Sequence, residues 1–183
     1  TQLRQLRGWY RQRGFHDVAV RLDSVRAEPE LGDVLFLSVA EGPRTFIDQV
    51  EIRGAGPLPI RDLRRALTLT EGDPAPADLN SLGGEIFRMR RLYWERGYLQ
   101  VEITPGLRIA ETVEPDRRSA VVAYRVAPGA RYTVAAVRIE GNTSTRRDLI
   151  AREIRLEPGE EFLWNEVELS RRRLLQTALF RDV

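Results

Sequence analysis

The stretch Gly42-Pro43-Arg44-Thr45-Phe46-Ile47-Asp48-Gln49-Val50-Glu51-Ile52-Arg53-Gly54 decides how this chain is read, because it returns as Gly129-Ala130-Arg131-Tyr132-Thr133-Val134-Ala135-Ala136-Val137-Arg138-Ile139-Glu140-Gly141. The match runs on without a gap to Asp73 and Glu160, at a constant offset of 87 residues. Leu69 meets Leu156 under it, and Gly72 meets Gly159. A second echo sets Tyr10-Arg11-Gln12-Arg13-Gly14-Phe15 against Tyr93-Trp94-Glu95-Arg96-Gly97-Tyr98 at an offset of 83. The loop between the two echoes is therefore four residues longer in the second copy. Self-similarity at a fixed period is the signature of one supersecondary unit strung in an array. The expected division is the C-terminal part of a repeat in 1–42, a complete repeat in 43–129 and the N-terminal part of another in 130–183. On that reading the chain is a piece of a longer protein.

Composition narrows the function classes. Of 183 residues, 42% are apolar, which is ordinary for a globular chain, and a unit of this period can bury a modest core without staples. There is no cysteine, which excludes a disulfide framework and a thiolate metal site and fits either the cytosol or a bacterial periplasm. No apolar run approaches the length of a membrane span, and no signal-peptide pattern is present. All 29 of the Lys and Arg positions are Arg. Nucleic-acid binding would call for a basic face, but 27 acidic residues bring the net charge down to +2, so the bias reads as codon usage in a GC-rich genome.

Within the unit, Phe46 to Ile52 reads as a strand with Val50 and Ile52 on one face. Gly54-Ala55-Gly56-Pro57 stops it, and Pro59 suits a first helical turn. Ile60, Leu63 and Leu67 then make the stripe of a short helix. In the later copy Thr145 is the candidate N-cap, with Asp148 three residues on and Leu149, Ile150 and Ile154 as the buried face. A longer helix follows from Leu79, Leu82, Ile86, Met89 and Tyr93. Gly83-Gly84 in its middle implies close packing on a neighbour, and Gly97 ends it. Leu99 to Ile103 alternates as a strand that Pro105-Gly106 breaks, and Val121 to Val126 closes the unit. The order strand, helix, helix, strand, strand makes an α+β two-layer sandwich, two helices over a three-stranded mixed sheet. The first unit keeps a helix up to Arg13 and strands around Val18-Val20 and Leu35-Leu37-Val39. The last stops at Val183, the counterpart of Val101.

These residues resemble POTRA domains, the polypeptide-transport-associated repeats of outer-membrane assembly and translocation factors of the BamA, TamA and surface antigen D15 group. The carriers are Tyr132 to Thr143, then Leu156-Glu157-Pro158-Gly159-Glu160, the Tyr93-to-Tyr98 turn and the closing Ala178 to Val183. The resemblance spans the chain, and the central unit departs from it where Gly54-Ala55-Gly56-Pro57 replaces Gly-Asn-Thr. It implies a periplasmic arm at the outer membrane, joined to a C-terminal barrel outside this chain. The implied partners are unfolded outer-membrane proteins and accessory subunits or lipoproteins.

The resemblance, not the spacing of residues, points to the strand Leu99, Gln100, Val101, Glu102 and Ile103 as the binding element. At a sheet edge its spare N–H and C=O groups could pair with a client strand. The short joints holding Gly42 and Pro43, and Pro128 and Gly129, are expected to act as hinges of limited swing. Neither an enzyme, a cofactor nor a metal is expected. His16 is the single histidine and aligns with Leu99 at a strand start. The acids are scattered, no serine sits in a nucleophile elbow, and Gly54-Ala55-Gly56 lacks a dinucleotide loop's third glycine. Asn142-Thr143-Ser144 matches a glycosylation sequon but reads as a turn, and Arg171-Arg172-Arg173 as a solvated helix face. Two alternatives stand beside the assembly arm. One is a POTRA-type scaffold of a single-span division or secretion protein. The other, a KH-like nucleic-acid module, needs a Gly-x-x-Gly loop where this chain has the acidic Thr70 to Pro76, so no nucleic acid is expected.

Overall fold

The computed structural model describes residues 2–28 and 32–180. The elements are α1 (Gln2–Arg11), β1 (Ala19–Glu28), β2 (Gly32–Ala40), β3 (Arg44–Arg53), α2 (Ile60–Ala66), α3 (Gly83–Trp94), β4 (Glu102–Glu111), β5 (Arg117–Ala127), α4 (Arg147–Ala151) and α5 (Trp164–Gln176). A short 3-10 turn, Leu79–Leu82, leads into α3.

β3, β4 and β5 form one mixed sheet in the order β3-β5-β4, with β5 parallel to β3 and antiparallel to β4. Its inner face carries Ile47, Val50 and Ile52 from β3, Ile103 from β4, and Ala120, Val122, Tyr124 and Val126 from β5, all buried. Leu63 of α2, Leu82, and Met89 and Tyr93 of α3 close over them. Strand alternation alone would not put both Ile47 and Val50 inside, since they differ in parity. The β3–β5 register shifts between Ile47 and Gln49, and this bulge lets both face the core.

The repeat is visible in individual hydrogen bonds. Gly72 N–H donates to the Ile47 carbonyl, Ile47 N–H to Asp73 and Ala75 N–H to Thr45. Gly159 N–H donates to Val134, Val134 N–H to Glu160 and Phe162 N–H to Tyr132, each shifted by the same 87 residues. The segments on either side differ from the centre. β1 and β2 form a two-stranded antiparallel sheet, and of its apolar residues Leu22, Val25, Leu35, Leu37 and Val39 are all exposed. Residues 134–140 have no ladder partner among the described residues; a single bridge joins Thr133 to Glu161.

Several expectations need correction. Leu99 and Gln100 lie in a turn and Val101 outside any strand; β4 starts at Glu102 and runs straight through Pro105-Gly106 to Glu111. An edge strand tolerates a proline whose missing N–H would face outward. Gly83 and Gly84 open α3 instead of interrupting it; a Cβ would meet nothing within 4 Å at Gly83 and only the flexible Arg88 guanidinium, at 3.6 Å, at Gly84, so neither is required by close packing. The residue that caps α4 is Arg146, with no side-chain cap bond, not Thr145. The Thr145 carbonyl instead accepts from Asn142 Nδ2 at 2.9 Å, while Arg146 pairs with Asp148 at 2.6 Å. Ile60, Leu79 and Leu149 are exposed, against their assignment to buried stripes. Residues 181–183 of the expected closing motif lie outside the described residues.

Two fully buried tyrosines behave differently. Tyr93 Oη donates to the Ala55 carbonyl at 2.6 Å, whereas Tyr124 Oη has no protein partner. Tyr93→Phe is expected to cost about 1–2 kcal/mol in urea unfolding, and Tyr124→Phe to be neutral or stabilising. Burial also pushes the Tyr93 phenol from 10 up to about 12. The fold favours the neutral form, so this contribution is complete below pH 10 and is lost as the pH rises towards about 12. Unfolding followed across that window should show an alkaline loss of stability that Tyr93→Phe reduces.

Candidate functional site

A three-stranded sheet has two outer edges, and here their states differ. Arg44 N–H donates to the Asp116 carbonyl just ahead of β5. Alternation from there turns the even residues of β5 towards β3 and the odd ones towards β4. The partners of those odd residues on β4 are Glu102, Thr104, Gly106, Arg108 and Ala110. Ile103, Pro105, Leu107 and Ile109 therefore aim their backbone groups away from the sheet. Pro105 sits where its lack of an N–H breaks no ladder bond.

The outer edge of β3 is sealed. Thr45 N–H donates to the Gly14 carbonyl and its C=O accepts from Ala75; Ile47 donates to Asp73 and accepts from Gly72. Further along, the Val50 carbonyl accepts from the Arg64 guanidinium at 2.9 Å. Among the described residues no backbone hydrogen bond from another segment reaches the outward groups of Ile103, Leu107 or Ile109. That leaves β4 as the open edge, with N–H groups at Ile103, Leu107 and Ile109 and carbonyls at those positions and at Pro105.

Of the expected binding residues, Glu102 and Ile103 are on this strand. Leu99, Gln100, Val101 and Glu102 line a cleft of about 710 Å³ at its head, together with Arg90 and Trp94 of α3 and Ala127 and Gly129 of the joint. Trp94 is held there by its indole N–H, which donates to the Leu99 carbonyl at 3.2 Å. Sequence reasoning missed the part α3 plays. Arg90 and Trp94 stand one helical turn apart, and nothing in the sequence sets that pair off from ordinary helix surface.

The joints share one construction. Arg44 Nε donates to the Arg13 carbonyl at 2.8 Å, and Arg131 Nε to the Arg96 carbonyl at 3.1 Å. Next to each, Thr45 N–H donates to Gly14 and Tyr132 N–H to Gly97. Arg44 lies over Phe15 and Arg131 over Tyr98, the aromatic residue after each glycine. Gly97 has φ +83°, and a Cβ there would come within 3.0 Å of the Phe162 carbonyl. The expected hinge residues Gly42 and Gly129 share φ +72° and abut Asp17 and Gln100, which match under the shorter offset. Pro128 is in contact range of Gly56, and Pro43 adds stiffness beside Gly42. His16 Nε2 lies 3.3 Å from the Ala75 carbonyl, a structural place at the first joint. No group of His, Cys, Asp and Glu suited to a metal ion occurs among the described residues. Nor is any described helix long and apolar enough to cross a membrane.

Comparison with known proteins places this architecture. No family model matches the chain. The chain is 28% identical over 180 residues to the outer membrane protein assembly factor BamA of Neorickettsia risticii, covering 97% of this chain and 23% of that protein. It superposes on the crystal structure of POTRA domains 3–5 of Haemophilus influenzae BamA with a TM-score of 0.63 at 22% identity, over 99% of this chain and 70% of that one. The N-terminal domain of Omp85 from Thermosynechococcus elongatus is a looser likeness, with a TM-score of 0.41 at 24% identity over 100% of this chain and 74% of that one. The fold is that of tandem POTRA repeats. In sequence the chain is BamA-like along almost its whole length, and it spans about a quarter of the relative it matches.

Arg131→Ala removes the bond to Arg96 and the ion pair with Glu161. It is expected to broaden the spin-label distance distribution between α3 and α5 while leaving distances within the β3-β5-β4 sheet unchanged.

Proposed function

We propose that this chain is a periplasmic POTRA arm of an outer-membrane β-barrel assembly protein. Its central unit, 43–129, binds extended segments of unfolded outer-membrane clients by adding them as a strand along β4. The observation that carries this reading is the asymmetry of the sheet: β3 is sealed by backbone bonds at Thr45 and Ile47, and β4 is open. Main-chain pairing is nearly blind to sequence, which suits a receptor for many clients whose strands alternate. The relative's name, an outer membrane protein assembly factor, supports the setting. The flanking segments 1–42 and 130–183 are parts of neighbouring repeats in this reading, and their other surfaces dock accessory subunits. The bonded joints at Gly42-Pro43 and Pro128-Gly129 give the arm limited swing, enough to bias a delivered strand towards a barrel without letting the repeats tumble. No step of this work needs catalysis or a cofactor.

Ile109→Pro tests the edge. Ile109 faces outward and is exposed, so the ladder to β5 keeps its bonds and the fold should hold by circular dichroism. Affinity for an alternating client peptide, measured by anisotropy, should fall about five- to tenfold for the lost donor and the blunted edge. Ala110→Pro, one residue on, removes an inward donor and should destabilise the sheet itself. Unchanged peptide binding by folded Ile109→Pro would refute strand addition at β4.

A further inference from the structure

The cleft at the head of β4 holds an unspent cation. Three arginines lie on α3, and two have acidic partners: Arg88 with Glu85 and Arg91 with Glu95. Among the described residues Arg90 has none, and its Nε is buried without a hydrogen-bond partner. The shielded Nε is out of a ligand's reach, but the rest of the guanidinium lines the cleft, and a carboxylate meeting it there would supply the counter-charge that this cation lacks. Trp94, Leu99 and Val101 give the same cleft apolar walls, which would strengthen a charged contact made inside it. Glu102 also lines it, but alternation sends the Glu102 side chain to the opposite face of β4 from Ile103, and no ion pair joins it to Arg90.

We propose that this cleft is a carboxylate subsite, in which Arg90 receives an acidic side chain of a strand added to β4. The inference rests on strand addition at that edge. An added strand continues the pleat of the sheet, so every second side chain points to the helical side, as Ile103 and Leu107 do. The helix-facing residue that comes level with Val101 meets Arg90. The subsite thus fixes register along an edge whose backbone pairing alone would permit sliding in steps of two residues. Because Ala127 and Gly129 form another wall, an occupant also touches the joint to the following segment.

The test uses the whole chain and three versions of one alternating nonapeptide. They carry Glu at the helix-facing position with an amidated terminus, Gln there with an amidated terminus, or Gln with a free C-terminal carboxylate. Binding is followed through Trp94, which lies 5.8 Å from Trp164, and through amide exchange protection at Leu107 and Ile109. The expected result is a Glu peptide bound about tenfold more tightly than either Gln peptide, with all three protecting β4. Arg90→Gln should abolish the preference while the protection stays, and Arg90→Lys should restore part of it. Equal affinities, a preference that survives Arg90→Gln, or a preference only for the free terminus would overturn the subsite and leave strand addition standing. Absence of β4 protection with every peptide would overturn both.

Discussion

The rest of the structure depends on the backbone bonds made by Thr45 and Ile47. Four of them tie the outer side of β3 to Gly14, Gly72, Asp73 and Ala75. They fold the loop after α2 back along the sheet, which carries the chain to α3. They also fasten the preceding turn to the first residues of the unit. Each such bond contributes only about 1 kcal/mol, but leaving these groups buried and unpaired would cost more. The consequence for function is indirect. Because one edge of a three-stranded sheet is used up in holding the unit and its neighbour together, the other is the edge left open.

The same economy explains the joints. A tether of glycine and proline would let repeats drift, but the bonds of Arg44 and Arg131 to the carbonyl before each turn glycine hold them. Gly14 and Gly97 are needed twice over: their φ is positive, and the next unit's backbone presses against them. Most ion pairs among the described residues have a partner on the surface, where such contacts contribute little, so hydrogen bonds and packing set the geometry.

Much of this was legible in the residues. The 87-residue offset reappears bond for bond, because identical glycine positions and apolar spacings impose the same backbone path. What the sequence hid has physical causes. Pro105 reads as a breaker, yet at an outward-facing edge position it breaks nothing, so β4 extends well beyond it. The bulge between Ile47 and Gln49 is a register effect that periodicity cannot show. Asp148 looks like half of a capping box until Arg146 takes its carboxylate. Which edge of the sheet is open was out of reach altogether, since it turns on hydrogen bonds made by a distant loop. The part of the site contributed by Arg90 and Trp94 looked like ordinary helix surface.

The central claim is that one edge is sealed and the other open, and amide hydrogen exchange of the unliganded chain measures this directly. The account expects slow exchange at Thr45 and Ile47, whose N–H groups are bonded to Gly14 and Asp73, and fast exchange at Leu107 and Ile109 on β4. Ile47 exchanging as fast as Leu107, or strong protection along the outward side of β4, would contradict it.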